Sequence, residues 1–494
     1  MRKFKKKLIT LCLVFALFVP TFSFASLADD DIPDLPVFDL PCSLDTVKVG
    51  LCHGSSAVSA ATFQCKTGND FQIGYFDYSR NFHTLGRISN DTVTLHGDIE
   101  FTVGEDDDAE TVGSWHILLG NSYGSFDEAA SAASKVNGFP GYVDYKYVVL
   151  VGAYESSAEA TTAMSDRGLK GSAYSGSSNS VIISKADSAQ LLFMYDSAGR
   201  KLAIRPGSDN SGETRFNGNT YKGAFSFSRK GSSLCVTNFV GLEDYVKGVL
   251  PYEVSADWPA EALKAQAVCA RTYAINCINS YADRDFDVRD DTYSQVYKGS
   301  TYSDSVINAA ADDTAGMYVR YEGAVCKVYY MSSDGGGTED GINVFGERRA
   351  YLAAVADSFE VASDFYGKTW REEYTASQLS YKLCDHGFDI GDITEIETTY
   401  SDIGNVIRLD FKDTDGNTAF IERLECYSVL GLNSIRYDVS VEETDDGEKL
   451  FVFEGCGWGH NCGMSQWGAC TMAKNSNVDC NDIIRYYFSG AYIA

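Results

Sequence analysis

Apolar and polar residues alternate in the first part of the chain in the way that is typical of strands. Thr46 to Leu51 alternates with a period of two, as a half-buried strand does. Similar patterns continue to about residue 103, and the acidic run Gly104–Glu110 follows them. We therefore expect a β-rich segment over 46–103 that ends in a solvated loop.

From residue 114 to about 186 the pattern changes, and a strand followed by a helix appears twice. The predicted elements are a strand at Ser114–Gly120, a helix at Ser125–Asn137, a strand at Tyr147–Tyr154, a helix at Ser157–Gly168, a flexible turn region at Gly171–Ser180 and a last strand at Val181–Ser184. Serine precedes both helices as an N-cap. Two such units predict a small ferredoxin-like βαββαβ module with its helices on one face.

Short strands return after residue 190, and helices follow them. The strand candidates are Gln190–Tyr195, Lys201–Arg205, Tyr221–Ser228 and Leu234–Phe239. An apolar stripe that begins at Leu242 predicts a short helix that must end before Pro251, and a second helix is predicted to begin near Pro259. Glu253 then lies between the two helices. The whole pattern predicts a mixed, multi-domain α+β protein.

Charge and composition exclude some classes of protein. The 41 basic and 69 acidic residues give a formal charge of −28, so the chain has no basic surplus to neutralise the phosphates of a nucleic acid. Hydrophobic residues make up 44% of the chain, which is enough for a sizeable core. We therefore expect a folded protein that does not bind nucleic acid.

The first residues resemble a targeting segment. A basic stretch is followed by the apolar run Leu8–Pro20 and by Ser23-Phe24-Ala25, which suits a cleavage site. We predict a signal peptide over 1–25 and an acidic leader over 26–45; an uncleaved amino-terminal membrane anchor is the alternative. Either way, the body of the protein is expected outside the cytoplasm.

The segment 114–186 resembles the sporulation-related repeat (SPOR) domain. Trp115–Tyr123 and Tyr147–Tyr154 carry the resemblance, together with the capped helix that begins with Ser156, Glu159 and Ala160. The resemblance implies that this module binds peptidoglycan glycan strands that have lost their stem peptides. An inserted packing module is the alternative.

Glu253 stands in surroundings that suit a general acid. The neighbouring residues Leu250-Pro251-Tyr252 and Val254 are apolar or aromatic, and Trp258 follows closely. Such surroundings disfavour ionisation of a carboxylic acid, and a protonated carboxylic acid is what cleavage of a glycosidic bond requires. A capping or solvated side chain is the alternative on position alone.

Three blocks of the chain resemble the signature blocks of the stage II sporulation protein D family, which includes amidase enhancers. They are Gly241–Ser280, Tyr330–Asp340 and Gly457–Ala469, in that order. The resemblance implies a catalytic domain over 190–494, with 46–103 as its amino-terminal part and 114–186 as an insertion. The last block departs from the family pattern by reading His460-Asn461-Cys462-Gly463.

The resemblance implies a lytic transglycosylase that cuts peptidoglycan glycan strands, with Glu253 as its catalytic residue. Such an enzyme needs a single carboxylate, whereas ordinary glycosidases need two. The implied partners are glycan strands and a cell-wall amidase or another sporulation wall hydrolase. A non-catalytic amidase enhancer that only binds the glycan is the alternative.

Further residues of these blocks are candidates for binding the substrate. The full set is Lys264, Arg271, Asp334, Thr338, Glu339, His460 and Gln466. Lys264 and Arg271 share one helix stripe, and the glycines that follow Asp334 would let the backbone approach a sugar closely. The structural alternatives are a salt-bridged helix face, a hairpin turn and a histidine that satisfies only local backbone groups.

No metal or cofactor is predicted. Some members of the family carry His and Cys ligands that imply zinc, but the matching positions here are Tyr293, Ser294, Met331 and Ser333. Cys456, His460 and Cys462 are only three local ligands, one fewer than a structural zinc site uses. We therefore expect neither a structural nor a catalytic zinc.

Overall fold

The computed structural model describes residues 45–106, 109–207, 212–278, 285–363, 365, 369–444 and 447–494. The predicted signal peptide, and all of the predicted leader except residue 45, lie outside the described residues. The described chain forms two compact units. The amino-terminal unit contains the described parts of 45–256 and 273–315, and the carboxy-terminal unit contains those of 257–272 and 316–494. Residues 190–494, predicted as one catalytic domain, therefore contribute to both units.

The amino-terminal unit is mostly strand. Its strands are β1 (Thr46–Cys52), β2 (Ala60–Cys65), β3 (Phe71–Phe76), β4 (Phe82–Ile88), β5 (Thr92–Gly97), β6 (Phe101–Val103), β7 (Glu110–Val112), β8 (Trp115–Leu119), β9 (Phe139–Val143), β10 (Lys146–Tyr154), β11 (Gly171–Ser175), β12 (Val181–Lys185), β13 (Leu191–Asp196), β14 (Leu202–Pro206), β15 (Glu213–Phe216), β16 (Asn219–Lys222), β17 (Ala224–Lys230), β18 (Ser233–Gly241) and β19 (Val288–Arg289). Its helices are α1 (Phe126–Ser134), α2 (Ser157–Asp166), α3 (Leu242–Glu253), the last residues of α4 (Ala260–Cys277) and α5 (Ser305–Asp313).

One sheet of this unit joins the beginning of the chain to the segment before α3. Seven strands lie in the order β19-β1-β18-β17-β14-β3-β4, and β1 pairs antiparallel with β18. Val47 and Val49 of β1 are fully buried, as their alternation predicts. The prediction of a strand at Thr46–Leu51 is confirmed.

A second sheet contains the predicted βαββαβ segment. Its ten strands lie in the order β11-β8-β10-β9-β13-β12-β5-β2-β15-β16, and β8, α1, β9, β10, α2 and β11 follow one another in the chain. Serine caps both helices: Ser125 accepts the amide of Glu128, and Ser156 accepts that of Glu159. This segment shares its sheet with the rest of the unit through the parallel pair of β9 and β13.

The end of this segment differs from the prediction. Gly171–Ser175, expected in a flexible turn, is the strand β11 and pairs along its whole length with β8. Val181–Lys185, which covers the predicted last strand, pairs instead with β5 and β13. The prediction was wrong because small polar residues are poor indicators of an edge strand, which needs only one partner and no buried face.

The helix around Pro251 also differs from the prediction. α3 continues through Pro251 and ends at Glu253. Proline lacks an amide hydrogen and costs the helix one bond, but the amide of Val254 bonds to the carbonyl of Leu250 at 3.0 Å and closes the last turn. Glu253 is therefore the last residue of α3 and does not lie in a connection between helices. α4 begins at Ala260, directly after Pro259, as predicted.

The carboxy-terminal unit is built from small sheets, short helices and long connections. Its strands are β20 (Val319–Tyr321), β21 (Ala324–Val325), β22 (Tyr330–Met331), β23 (Thr369–Thr375), β24 (Ile393–Tyr400), β25 (Val406–Asp413), β26 (Thr418–Glu422), β27 (Tyr437–Glu443), β28 (Lys449–Cys456), β29 (Met464–Ser465) and β30 (Tyr492–Ile493). Its helices are the first part of α4, α6 (Gly341–Phe345), α7 (Ser358–Val361), α8 (Ala376–Asp385), α9 (Glu425–Ser428), α10 (Gln466–Asn475) and α11 (Cys480–Tyr487). The protein is thus a mixed α+β protein, as predicted. No helix within the described ranges is long and apolar enough to cross a membrane.

Candidate functional site

Glu253 is placed by a helix whose buried face follows from its sequence. Leu242, Tyr245, Val246 and Val249 form the predicted stripe, and all four are buried. Leu250 joins them, so the last turn of α3 is anchored in the core of the amino-terminal unit. Glu253 itself is partly buried.

Two tyrosines of α3 contact other side chains of the amino-terminal unit. Tyr245 is fully buried and donates its hydroxyl to Gln295 at 3.0 Å. Burial raises the pKa of Tyr245 well above its usual value, and the charge of Glu253 is among the further causes. The ring of Tyr252 packs edge-on against Tyr302, with 5.7 Å between the ring centroids, and Tyr302 is 65% exposed. The carboxylate of Glu253 therefore acts on the buried Tyr245 through its charge, and the exposed Tyr302 contacts the residue that precedes Glu253 in α3.

Lys264 and Arg271, which share one predicted stripe of α4, have different surroundings. Lys264 keeps partial exposure, and its ammonium group lies 3.3 Å from the carboxylate of Glu261. Arg271 is fully buried, and its guanidinium donates to the carbonyls of Ala267 and Met317. The side chain of Arg271 therefore has no exposed surface, and its predicted contact with the glycan stays a prediction.

The second and third sequence blocks pair with each other in the carboxy-terminal unit. β22 and β29 are parallel, with Tyr330 opposite Met464. Ser333 and Trp458 exchange two backbone hydrogen bonds, of 3.1 and 2.7 Å. Asn461 Nδ2 then donates to the carbonyl of Asp334 at 2.8 Å. The sequence separates these blocks by more than a hundred residues, and the fold joins them.

Glycines allow this close pairing. Gly463 has a φ of +84°, and a Cβ there would stand 2.2 Å from the carbonyl oxygen of Tyr329. Gly459 has a φ of +121°, and a Cβ there would stand 2.6 Å from Cβ of Met331. Both the backbone conformation and the space therefore exclude larger residues.

His460 is held by its local backbone and by aromatic rings. Its Nδ1 accepts the amide hydrogen of Cys462 at 3.1 Å, and its ring lies edge-on to Phe345 at 5.2 Å. Although part of its surface is exposed, desolvation by its surroundings lowers the pKa of His460 to about 4. The imidazole is therefore neutral at pH 7, and its contacts match the structural alternative that the sequence left open.

Thr338 and Glu339 are buried and serve the loop that contains them. Thr338 Oγ1 accepts the amide of Val355 at 2.9 Å. Glu339 accepts hydrogen bonds on both carboxylate oxygens, among them those of Asn343 at 2.8 Å and Ser401 at 2.6 Å. Their polar atoms have partners inside the unit, and the binding of the glycan by Thr338 and Glu339 stays a prediction.

Asp334 and Gln466 are also buried. Gln466 is the first residue of α10, and the preceding Ser465 caps that helix by accepting the amide of Gly468 at 3.1 Å. Both side chains lie below the surface of the unit, and the binding role of Asp334 and Gln466 stays a prediction.

Sequence reasoning missed two acidic residues that lie beside Asp334. Asp357 and Glu360 are buried and, with Asp334, form a group that we call the carboxylate cluster; one oxygen of each lies within 4.8 Å of the others. Asp357 caps α7, and Glu360 is the third residue of that helix. The pattern Asp-x-x-Glu could have indicated a helix start there, but nothing in the sequence indicates its proximity to Asp334.

The described residues thus define a mixed α+β protein in which one unit carries a partly exposed glutamate at a helix end and the other joins two glycine-rich blocks. The sequence of the chain is similar to those of known proteins. The profile of a family described as stage II sporulation protein matches residues 230–321, which include α3 and α4. This match contains Glu253 but neither glycine-rich block.

Relatives extend the similarity beyond that segment. The chain is 30% identical over 273 residues to the stage II sporulation protein D of Bacillus subtilis, covering 52% of this chain and 75% of that protein. It is 34% identical over 284 residues to an uncharacterized protein of Brachyspira hyodysenteriae, covering 56% of this chain and 73% of the relative. It is 27% identical to the amidase enhancer of Bacillus subtilis, over 50% of this chain and 39% of that protein. The chain belongs to the stage II sporulation protein D family.

Proposed function

We propose that this protein is an extracytoplasmic lytic transglycosylase that cleaves the glycan strands of peptidoglycan between MurNAc and GlcNAc. The observation that carries the proposal is the placement of Glu253. It ends a helix that is anchored in the core, it stays partly exposed, and its charge contributes to the raised pKa of the buried Tyr245. A carboxyl group in such a place can reach a polymer and exchange a proton with it.

One carboxyl group is enough for this reaction. In its acid form Glu253 gives a proton to the glycosidic oxygen that leaves C1 of the muramic acid, and the C1–O bond breaks. The C6 hydroxyl of the same sugar then attacks C1, and Glu253 accepts the hydroxyl proton. The products are a free 4-hydroxyl on the neighbouring sugar and a 1,6-anhydro end, so no water is consumed and the glutamate is regenerated.

We further propose that residues 114–186 hold the enzyme on its polymer. The βαββαβ order of this segment and its two serine caps support a SPOR-like glycan-binding module. Two weak sites on one chain bind a repeating polymer more tightly than either site alone, because the second binding event is intramolecular. The signal-like residues 1–25 support a location outside the cytoplasm, at the cell wall.

Digestion of peptide-free glycan strands tests the enzymatic proposal. Mass spectrometry is expected to detect 1,6-anhydro-MurNAc ends with the unaltered full chain. Glu253→Gln keeps the shape of the side chain but removes the proton donor, so the rate is expected to fall by about 10² to 10⁴-fold. Glu243→Gln, at the other end of α3, is the matched control and should retain the activity. Equal rates for the two variants would refute the assignment of Glu253.

An amidase enhancer is the second candidate function. The similarity to the Bacillus subtilis amidase enhancer and the burial of most of the predicted binding residues favour it. In this case the unaltered chain leaves the strands intact, still sediments with them, and accelerates peptide release by a cell-wall amidase. Glu253→Gln would then leave both properties unchanged, so the two functions give different results in the same set of assays.

A further inference from the structure

The carboxylate cluster, Asp334, Asp357 and Glu360, concentrates negative charge inside the carboxy-terminal unit. The three side chains have 0%, 1% and 1% of their surface exposed. One oxygen of each lies within 4.8 Å of the others. Within the described part of the chain, none of the three forms an ion pair with a lysine, arginine or histidine. Buried carboxylates without a compensating charge are costly, so the cluster needs something to neutralise it.

Hydroxyl and amide groups satisfy most oxygens of the cluster. Glu360 accepts the hydroxyls of Ser333 at 2.5 Å and of Ser465 at 2.6 Å, one on each oxygen. Asp357 accepts the hydroxyl of Tyr487 at 2.5 Å on Oδ2 and two amides of α7 on Oδ1. These donors are neutral, so they orient the carboxylates without removing their charge.

One oxygen remains without a donor. Asp334 Oδ1 accepts the amide of Gly336 at 2.8 Å, whereas Asp334 Oδ2 is buried and accepts no hydrogen bond from a hydroxyl or amide, so that only a proton shared with Asp357 or a cation can satisfy it. Burial, followed by the charges of Asp357 and Glu360, raises the pKa of Asp334 well above its usual value. The cluster is therefore neutralised either by protons or by a cation.

We propose that the carboxylate cluster binds a calcium ion. Calcium prefers carboxylate, hydroxyl and carbonyl oxygens at about 2.3–2.6 Å, so oxygens on opposite sides of the ion stand about 5 Å apart. The 4.8 Å limit on the spacing of the three oxygens agrees with this geometry. Each carboxylate oxygen has two lone pairs, so an oxygen that accepts a hydroxyl can still bind the ion.

The ion joins segments that are distant in the sequence. Asp334 lies in the glycine-rich block, Asp357 and Glu360 belong to the start of α7, and Ser465 caps α10. A cation between them stabilises the pairing of the two glycine-rich blocks. This inference concerns the stability of the carboxy-terminal unit and does not depend on the catalytic role of Glu253.

Thermal unfolding and calorimetric titration of the full chain test the proposal. The protein is treated with EGTA, dialysed, and titrated with CaCl₂ or with MgCl₂. Calcium is expected to raise the Tm of the unaltered chain by about 5 °C when it exceeds its Kd about 100-fold. Asp334→Asn keeps the shape but removes one ligand charge, so the shift is expected to disappear. Asp389→Asn removes a charge from an exposed position of the same unit and should keep the shift.

The other results of these titrations would contradict the proposed calcium site. If calcium neither shifts the Tm nor gives heat, and Asp334→Asn is as stable as the unaltered chain, shared protons neutralise the cluster. If Asp334→Asn keeps the calcium shift, the ion binds elsewhere. A shift with magnesium alone overturns the assignment to calcium. If Asp334→Asn does not fold, Glu360→Gln replaces it, and the titration of the unaltered chain still decides whether calcium binds.

Discussion

Glu253 and the carboxylate cluster are acidic sites with opposite exposure to water. Glu253 is a single, partly exposed acid at the end of a helix, next in the chain to Tyr252. The cluster contains three acids on loops and a short helix, wholly buried and bound by hydroxyl groups. Burial alone therefore does not indicate catalysis, because a wholly buried acid has no surface with which to exchange a proton with a polymer, whereas a partly exposed acid does.

The largest expected effect concerns the loops that hold the cluster. Gly463→Ala places a Cβ 2.2 Å from the carbonyl oxygen of Tyr329 at a φ of +84°. We expect a loss of about 4 kcal/mol in the free energy of unfolding, from backbone strain and displacement together. Denaturant titration measures it. Gly404→Ala, at a φ of +87° with open space around it, isolates the backbone effect and should cost about 1 kcal/mol. Equal losses of unfolding free energy in the two variants would show that the close pairing of the glycine-rich blocks does not contribute to stability.

Substitution of Glu253 should lower the activity of the protein and leave its stability unchanged. Glu253→Asp draws the carboxyl group back by about 1.5 Å, and a displacement of this size is expected to lower the rate of anhydro-product formation by about 100-fold. The Tm should stay within about 1 °C of that of the unaltered chain, because the side chain of Glu253 is partly exposed. Glu243→Asp in the same helix serves as the control. A large loss of stability with unchanged activity would show that Glu253 has a structural role and no catalytic one.

The elements around Glu253 could be predicted from the sequence, whereas the carboxylate cluster could not. Apolar stripes located α3 and α4 and the strand β1, because burial of one face requires a regular spacing. The predicted end of α3 at Pro251 was wrong because a last turn tolerates the missing amide. The neighbours of Asp334 could not be predicted at all. Asp357 and Glu360 reach it through the backbone bridge between Gly337 and Ala356, and such a bridge between loops leaves no periodic signal in the sequence.

Histidine protonation should weaken the glycine-rich blocks at low pH. The pKa of His460 is lowered to about 4, below its ordinary value of about 6.5, so folding favours the neutral ring. The contribution is present above about pH 6.5 and is lost as the pH falls towards 4, by about 2 kcal/mol. Denaturant titrations of the unaltered chain and of His460→Gln measure it as a stability difference that shrinks over this range. Asp334 and Glu360 titrate in both proteins and cancel in the difference. A constant difference would contradict the lowered pKa.

The smallest expected effect tests whether the surroundings of Glu253 contact the polymer. Tyr302 is exposed and packs against Tyr252, the residue before Glu253, so its ring is available to stack on a sugar. Tyr302→Ala is expected to raise the KM for glycan strands a few-fold, equivalent to about 1 kcal/mol, with little change in kcat. Tyr78→Ala removes an even more exposed ring of the same unit and should leave the KM unchanged. If both variants behave alike, the tyrosines near Glu253 only pack against α3, and the polymer reaches the acid without them.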